Sequence, residues 1–158
     1  MRVVLGVSGG IAAYKAPDLV RRLQDAGADV RVILTPNATR FVTALSLAAV
    51  SNHGVIVEQW GDAERGGVDH VELARWADVL LIAPATANII AKLAVGIADD
   101  ALSTYAIAHR THIMVAPAMN WSMLQHPTVE QNIATLQRRG VEIIDPESGR
   151  LAEGEEHA

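Results

Sequence analysis

Asn120 ends a short turn, Pro117-Ala118-Met119-Asn120, that follows the apolar run Ile113–Val115. An Asn side chain there can donate to a carboxylate and accept from an amine without adding charge. Alone it would be an ordinary turn residue. Three other apolar runs, however, also end in small polar loops: Ser8-Gly9-Gly10-Ile11, Thr35-Pro36-Asn37 and Thr86-Ala87-Asn88. Four such loops together predict a ligand crevice. The Gly pair suits either a tight turn or backbone N–H groups presented to a phosphate. It is neither a dinucleotide fingerprint nor a Walker loop, because Lys15 stands at the wrong spacing. The chain has no cysteine, which excludes thiolate metal sites and cysteine nucleophiles, and its six histidines show no metal-ligand spacing, so no metal is expected. His70 is the histidine best placed for general base work. It falls in the first turn of a predicted helix, where the dipole favours a neutral ring, although Asp69 beside it opposes that effect.

These loops need a scaffold that gathers strand ends. Apolar runs at Arg2–Val7, Val30–Leu34, Val79–Ala83, Ile113–Val115 and Val141–Ile144 alternate with helical spacing. That alternation predicts a three-layer α/β/α, flavodoxin-like (Rossmann-like) parallel sheet, with ligands at the carboxyl ends of the strands. Gly27, Gly96 and Gly140 stand where helices should stop. Leu19, Val20 and Leu23 form one apolar helix face, and Phe41, Leu45 and Ala48 a second. Asp69 with Glu72, and Thr128 with Gln131, have capping-box spacing, and Asp99 opens a further helix. Val55–Val57 is a short apolar piece ahead of an expected mobile loop at 61–67.

The 158 residues make one domain, 1–158, with an aliphatic core: half the residues are hydrophobic and 4% aromatic. A net charge of −5 with no basic run argues against nucleic-acid or anionic-membrane partners. No apolar run reaches bilayer-spanning length and no signal peptide is legible, so a cytoplasmic location is expected.

Four segments carry a resemblance: Ser8-Gly9-Gly10-Ile11-Ala12-Ala13-Tyr14-Lys15, the stretch His70–Asp78, Pro84–Asn88 followed by Gly96–Asp100, and Pro117-Ala118-Met119-Asn120. In order and across nearly the whole chain they resemble the flavin-dependent cysteine decarboxylase family, particularly its phosphopantothenoylcysteine decarboxylase branch. The resemblance implies FMN as cofactor, held between subunits of a homotrimer that can assemble into a dodecamer. It implies that Ser8, Gly9, Gly10 and Ile11 touch FMN from the first turn, and Thr35 and Asn37 from the second. Thr86, Ala87, Asn88, Ile89 and Ala118 would complete the flavin site, with Ser103 and Phe41 at its margin. His70 would be the base, and Asn120, beside Met119, would hold the substrate carboxylate. The implied reaction oxidises a cysteine Cβ–SH to a thioaldehyde, which supplies the electron sink that loss of CO2 needs.

One departure stands out. Many coenzyme A members carry a cysteine in a C-terminal clamp, and here Glu153 occupies that position within a segment at about 145–158. Glu153 is the acid expected to replace it. Peptidyl-cysteine decarboxylases, which stop at the ene-thiol, are the alternative that the missing cysteine favours. A flavin prenyltransferase and a non-catalytic FMN-binding regulatory subunit are the remaining alternatives. The first is not expected to carry the Pro-Ala-Met-Asn turn, and the second needs neither His70 nor Asn120.

Overall fold

The computed structural model describes residues 1–58, 69–146, 149–150 and 156–157. A five-stranded sheet, all parallel, is formed by β1 (Arg2–Val7), β2 (Asp29–Leu34), β3 (Val79–Ala85), β4 (His112–Pro117) and β5 (Glu142–Ile143), in the order β2-β1-β3-β4-β5. This is the flavodoxin-like order, and its direction reverses between β1 and β3. Ile56, in the short apolar piece, adds one parallel bridge to Ile33 on the outer edge of β2. A separate two-stranded ladder pairs β6 (Gly149–Arg150) with β7 (Glu156–His157).

Strand alternation divides the core in two. Val3, Leu5 and Val7 of β1 join Val30, Val32 and Leu34 of β2 on one face, packed against Val20 of α1 (Ala16–Asp25) and Leu47 of α2 (Ala44–Ser51). Val4, Ile33, Leu80, Ile82 and Val115 face the other way. They pack against α3 (Asp69–Trp76), α4 (Ala87–Val95), α5 (Ala101–Ala108) and α7 (Pro127–Arg138) through Leu73, Ile90, Leu102 and Leu136. Gly6 permits the close approach of α5, since a Cβ there would come within 3.0 Å of Leu102 Cδ2.

Three predicted helix features are corrected. The helix after β2 does not bury Phe41 and Leu45, which are 44% and 80% exposed; it buries Leu47 and Ser51. Thr43 caps it by accepting the Ser46 N–H at 3.1 Å, so Phe41 precedes the helix, and Val42 enters the core instead. Thr128 is likewise not a cap. Pro127 occupies the first position of α7, as its fixed φ allows, and His126 Nδ1 accepts the Thr128 N–H at 3.1 Å. Asp100, rather than Asp99, caps α5. The Asp69 side chain and the segment 61–67 lie outside the described residues, and with them the first capping box and the expected mobile loop. Gly27, Gly96 and Gly140 all adopt positive φ where helices end.

Candidate functional site

The carboxyl ends of β1, β2, β3 and β4 surround one cavity of about 530 Å³ at the point where the strand order reverses. Each exit loop runs into a helical start, and the start fixes what its side chain can offer. Thr35 Oγ1 accepts the Ala38 N–H at 3.2 Å, ahead of a 3-10 turn at Pro36–Arg40. Thr86 Oγ1 accepts the Ile89 N–H at 3.3 Å and starts α4. Asn120 Oδ1 accepts the Met123 N–H at 2.9 Å and starts α6 (Trp121–Leu124). With one lone pair of each oxygen used by a cap, the hydroxyl protons of Thr35 and Thr86 and the amide protons of Asn120 remain as donors on residues that line the cavity. Gly10 starts the 3-10 turn Ile11–Lys15 with no side-chain cap, and first-turn N–H groups lack intrahelical acceptors.

The exits are laced together. Ser8, 2% exposed, donates its hydroxyl to the Pro84 carbonyl at 2.6 Å and accepts the Thr86 N–H at 3.0 Å. The Ala118 N–H donates to the Ala85 carbonyl at 3.0 Å. Gly9 packs so closely on the β2 exit that a Cβ would collide with Asn37 Cβ and lie 2.9 Å from its backbone carbon.

Among the predicted residues, Ser8, Gly9, Gly10, Ile11, Thr35, Asn37, Thr86, Ala87, Asn88, Ile89, Ala118, Met119 and Asn120 line this cavity. Phe41 lines a smaller adjoining depression with Gly9, Asn37 and Arg40. Ser103 is buried and absent from the lining. Its hydroxyl accepts the N–H groups of Asp99 and Asp100 at 3.1 Å each and donates to Asp100 Oδ1 at 2.8 Å. His70, half-buried in the first described turn of α3, is not among the lining residues of its own chain's cavity. Glu153 lies outside the described residues.

Sequence reasoning missed Lys92, Asp99, Asp100 and Met123, all of which line the cavity. Lys92 was findable, because it stands one helical turn beyond Asn88 and therefore on the same face of α4. Lys92 Nζ reaches Asp99 Oδ1 at 2.7 Å and Asp100 Oδ2 at 3.5 Å. The bond to Asp99 holds the ammonium above its ordinary pKa, and the same bond holds Asp99 below the usual carboxylate value. Among the described residues, no cluster of three or more His, Asp or Glu side chains could hold a metal, and no helix is long and apolar enough to cross a membrane.

A family model described as Flavoprotein matches residues 1–158. The coenzyme A biosynthesis bifunctional protein CoaBC of Escherichia coli (strain K12) is 47% identical over 154 residues, covering 98% of this chain and 38% of that protein. The CoaBC of Vibrio vulnificus (strain YJ016) is 46% identical over the same shares. This chain thus spans well under half the length of those relatives. Among solved structures, the FMN-dependent cysteine decarboxylase SpaF has a TM-score of 0.88 and 35% identity, covering 100% of this chain and 90% of that one. A PPC decarboxylase variant complexed with pantothenoylaminoethenethiol has a TM-score of 0.87 and 35% identity, covering 99% and 87%.

Proposed function

The chain belongs to the Flavoprotein family, and on that premise we propose that it is an FMN-dependent cysteine decarboxylase domain acting on phosphopantothenoylcysteine, as in coenzyme A biosynthesis. The observation that carries this reading is the convergence of four strand exits on one cavity, three of them with a side chain (Thr35, Thr86 or Asn120) that caps a helical start through its oxygen and keeps N–H or O–H donors for a ligand. FMN fits such a place. Hydroxyl and backbone N–H donors at helix starts suit its phosphate, and Ile11, Ile89, Ala118, Met119 and Met123 suit its ring. The volume is also within the usual range for small-molecule sites.

Bound FMN would supply the two-electron oxidation of the substrate Cβ–SH to a thioaldehyde, the sink that decarboxylation of a cysteine requires. The chain's own residues hold and deprotonate. Gly9, Gly10, Thr35 and Thr86 would position the cofactor. The Asn120 Nδ2–H groups would clamp the substrate carboxylate, their orientation fixed by the Oδ1 cap. His70 would take up the proton released from the substrate thiol. Glu153 is proposed as the acid that protonates the ene-thiol as a hydride equivalent returns to it from the reduced cofactor.

His70 does not line its own chain's cavity, so in this reading one copy supplies it to the cavity of another. Such sharing requires the homo-oligomer, a trimer or a dodecamer built from trimers, and we place the protein in the cytoplasm. Exposed Ile11, Phe41, Trp121 and Met123, all at or beside the cavity, would then be covered by a neighbour. The test is complementation. Assayed well below the wild-type KM, His70→Asn and Asn120→Asp proteins should each take up FMN yet decarboxylate about a hundredfold or more slower than wild type, and co-expressed mixtures should regain a fraction of wild-type turnover. Inactive mixtures would place both residues at the same copy's site, and full turnover by His70→Asn would remove the histidine from the reaction.

The second reading is a peptidyl-cysteine decarboxylase. It is favoured by Glu153 in place of a clamp cysteine.

A further inference from the structure

Lys92, Asp99 and Asp100 form one charged wall of the cavity, and neither the flavin site nor the reaction proposed above uses them. Lys92 rises from α4, with its side chain 16% exposed. Asp99 and Asp100 lie between α4 and α5, with side chains 58% and 11% exposed. Among the described lining residues Lys92 is the one cation and these two are the anions. The other described lining residues are neutral, so among them Lys92 alone carries a charge that offsets two carboxylates in a cavity whose donors otherwise suit an anion. From α7, Arg139 also approaches α4, but its Nη1 donates to the Leu93 carbonyl at 3.4 Å. Asp100 is further committed to capping α5 through Ser103, so it cannot turn away without uncapping that helix.

We propose that Lys92 is a positioning residue that balances the charge of Asp99 and Asp100 and so keeps the cavity open to a ligand phosphate. It acts through the wall, with its ammonium held on the carboxylates, and the phosphate itself is met by neutral donors. The inference rests on the FMN reading. A charge change near a phosphate in a partly enclosed cavity is worth about tenfold in affinity at low salt, and screening reduces it at high salt.

The experiment is equilibrium binding of FMN and of riboflavin, followed by quenching of flavin fluorescence at low and at high salt. Lys92→Met should weaken FMN about tenfold at low salt and less than about threefold at high salt, leaving riboflavin, which has no phosphate, nearly unchanged. Adding Asp99→Asn and Asp100→Asn to that variant should bring FMN back to within about threefold of wild type. Asn caps a helix as well as Asp, so α5 keeps its start. Lys92→Arg should hold wild-type affinity at both salts. Equal loss of riboflavin and FMN, or a loss that salt and the Asn substitutions leave untouched, would make Lys92 a packing brace and overturn the inference. Unaltered FMN binding by Lys92→Met would overturn it as well. Wild-type protein that takes up no FMN would overturn the flavin reading itself and this inference with it.

Discussion

Asn120 does two jobs with two ends of one amide, and they can be separated. Its Oδ1 caps α6 while its Nδ2 is left to the cavity. Asn120→Asp keeps an equally good cap, so thermal stability should stay within about 1 kcal/mol of wild type and FMN should remain bound. The donor is lost and a like charge faces the substrate carboxylate, so kcat/KM should fall about a hundredfold, chiefly through KM. Unchanged KM would confine Asn120 to its cap. The two glycines of the β1 exit should also behave differently. Gly9→Ala drives a methyl into Asn37 and its backbone, and should cost about 1–3 kcal/mol and most of the flavin. A methyl on Gly10 would stop 3.4 Å from Thr86 Cγ2, an ordinary contact, so Gly10→Ala should fold normally. Thermal melts and flavin content read both, and equal behaviour of the two variants would contradict the close loop packing.

At the scale of elements, strands were more legible than helix faces. The runs at Arg2–Val7 and Val30–Leu34 end within one residue of β1 and β2, because buried parallel strands are apolar on both faces. The α2 segment is apolar nearly all round, so its sequence could not say which side meets the sheet; the Thr43 cap decided that. His70, Ser103 and Lys92 show the matching limit at the site. Whether a residue on a helix reaches a cavity depends on packing angles that spacing does not encode. A buried network at the other end of α5 was not foreseen either. Tyr105, fully buried, donates its hydroxyl to His109 Nδ1 at 2.8 Å, and His109 Nε2 faces the His112 carbonyl at 3.0 Å. The carbonyl can only accept, which puts a proton on Nε2, and burial disfavours a second proton on Nδ1, leaving it to accept from Tyr105. Burial lowers the His109 pKa, the His112 carbonyl opposes that, and the His112 ring adds to it. Above about pH 6.5 both folded and unfolded states hold His109 neutral. As pH falls below that value the unfolded chain takes the proton first, so stability falls until the lower folded pKa is reached. Denaturant melts across pH 7 to 5 should show this loss in wild type and a shallower slope in His109→Gln. Parallel slopes would mean that the network does not hold the ring neutral.

At the scale of the whole molecule, the topology makes the site. The order β2-β1-β3-β4-β5 brings four strand exits, spread along the chain from Ser8 to Asn120, around one cavity. Ser8 and the Ala118 N–H tie three of those exits together through β3. That convergence was legible from the sequence, since each exit carries its own small polar loop after an apolar run. The charged wall was not, because Lys92 and the Asp pair meet only when α4 folds back onto the start of α5. The measurement that bears most directly on the proposed reaction offers phosphopantothenoylcysteine and a peptide ending in cysteine to the FMN-loaded protein in parallel, with products weighed by mass spectrometry. The account predicts turnover of the small substrate, with loss of CO2 alone when the flavin is reoxidised by its own intermediate, or of CO2 and two hydrogens when the ene-thiol escapes. Turnover of the peptide alone would contradict the coenzyme A reading, and loss of CO2 from neither by a fully loaded, folded protein would contradict decarboxylation itself.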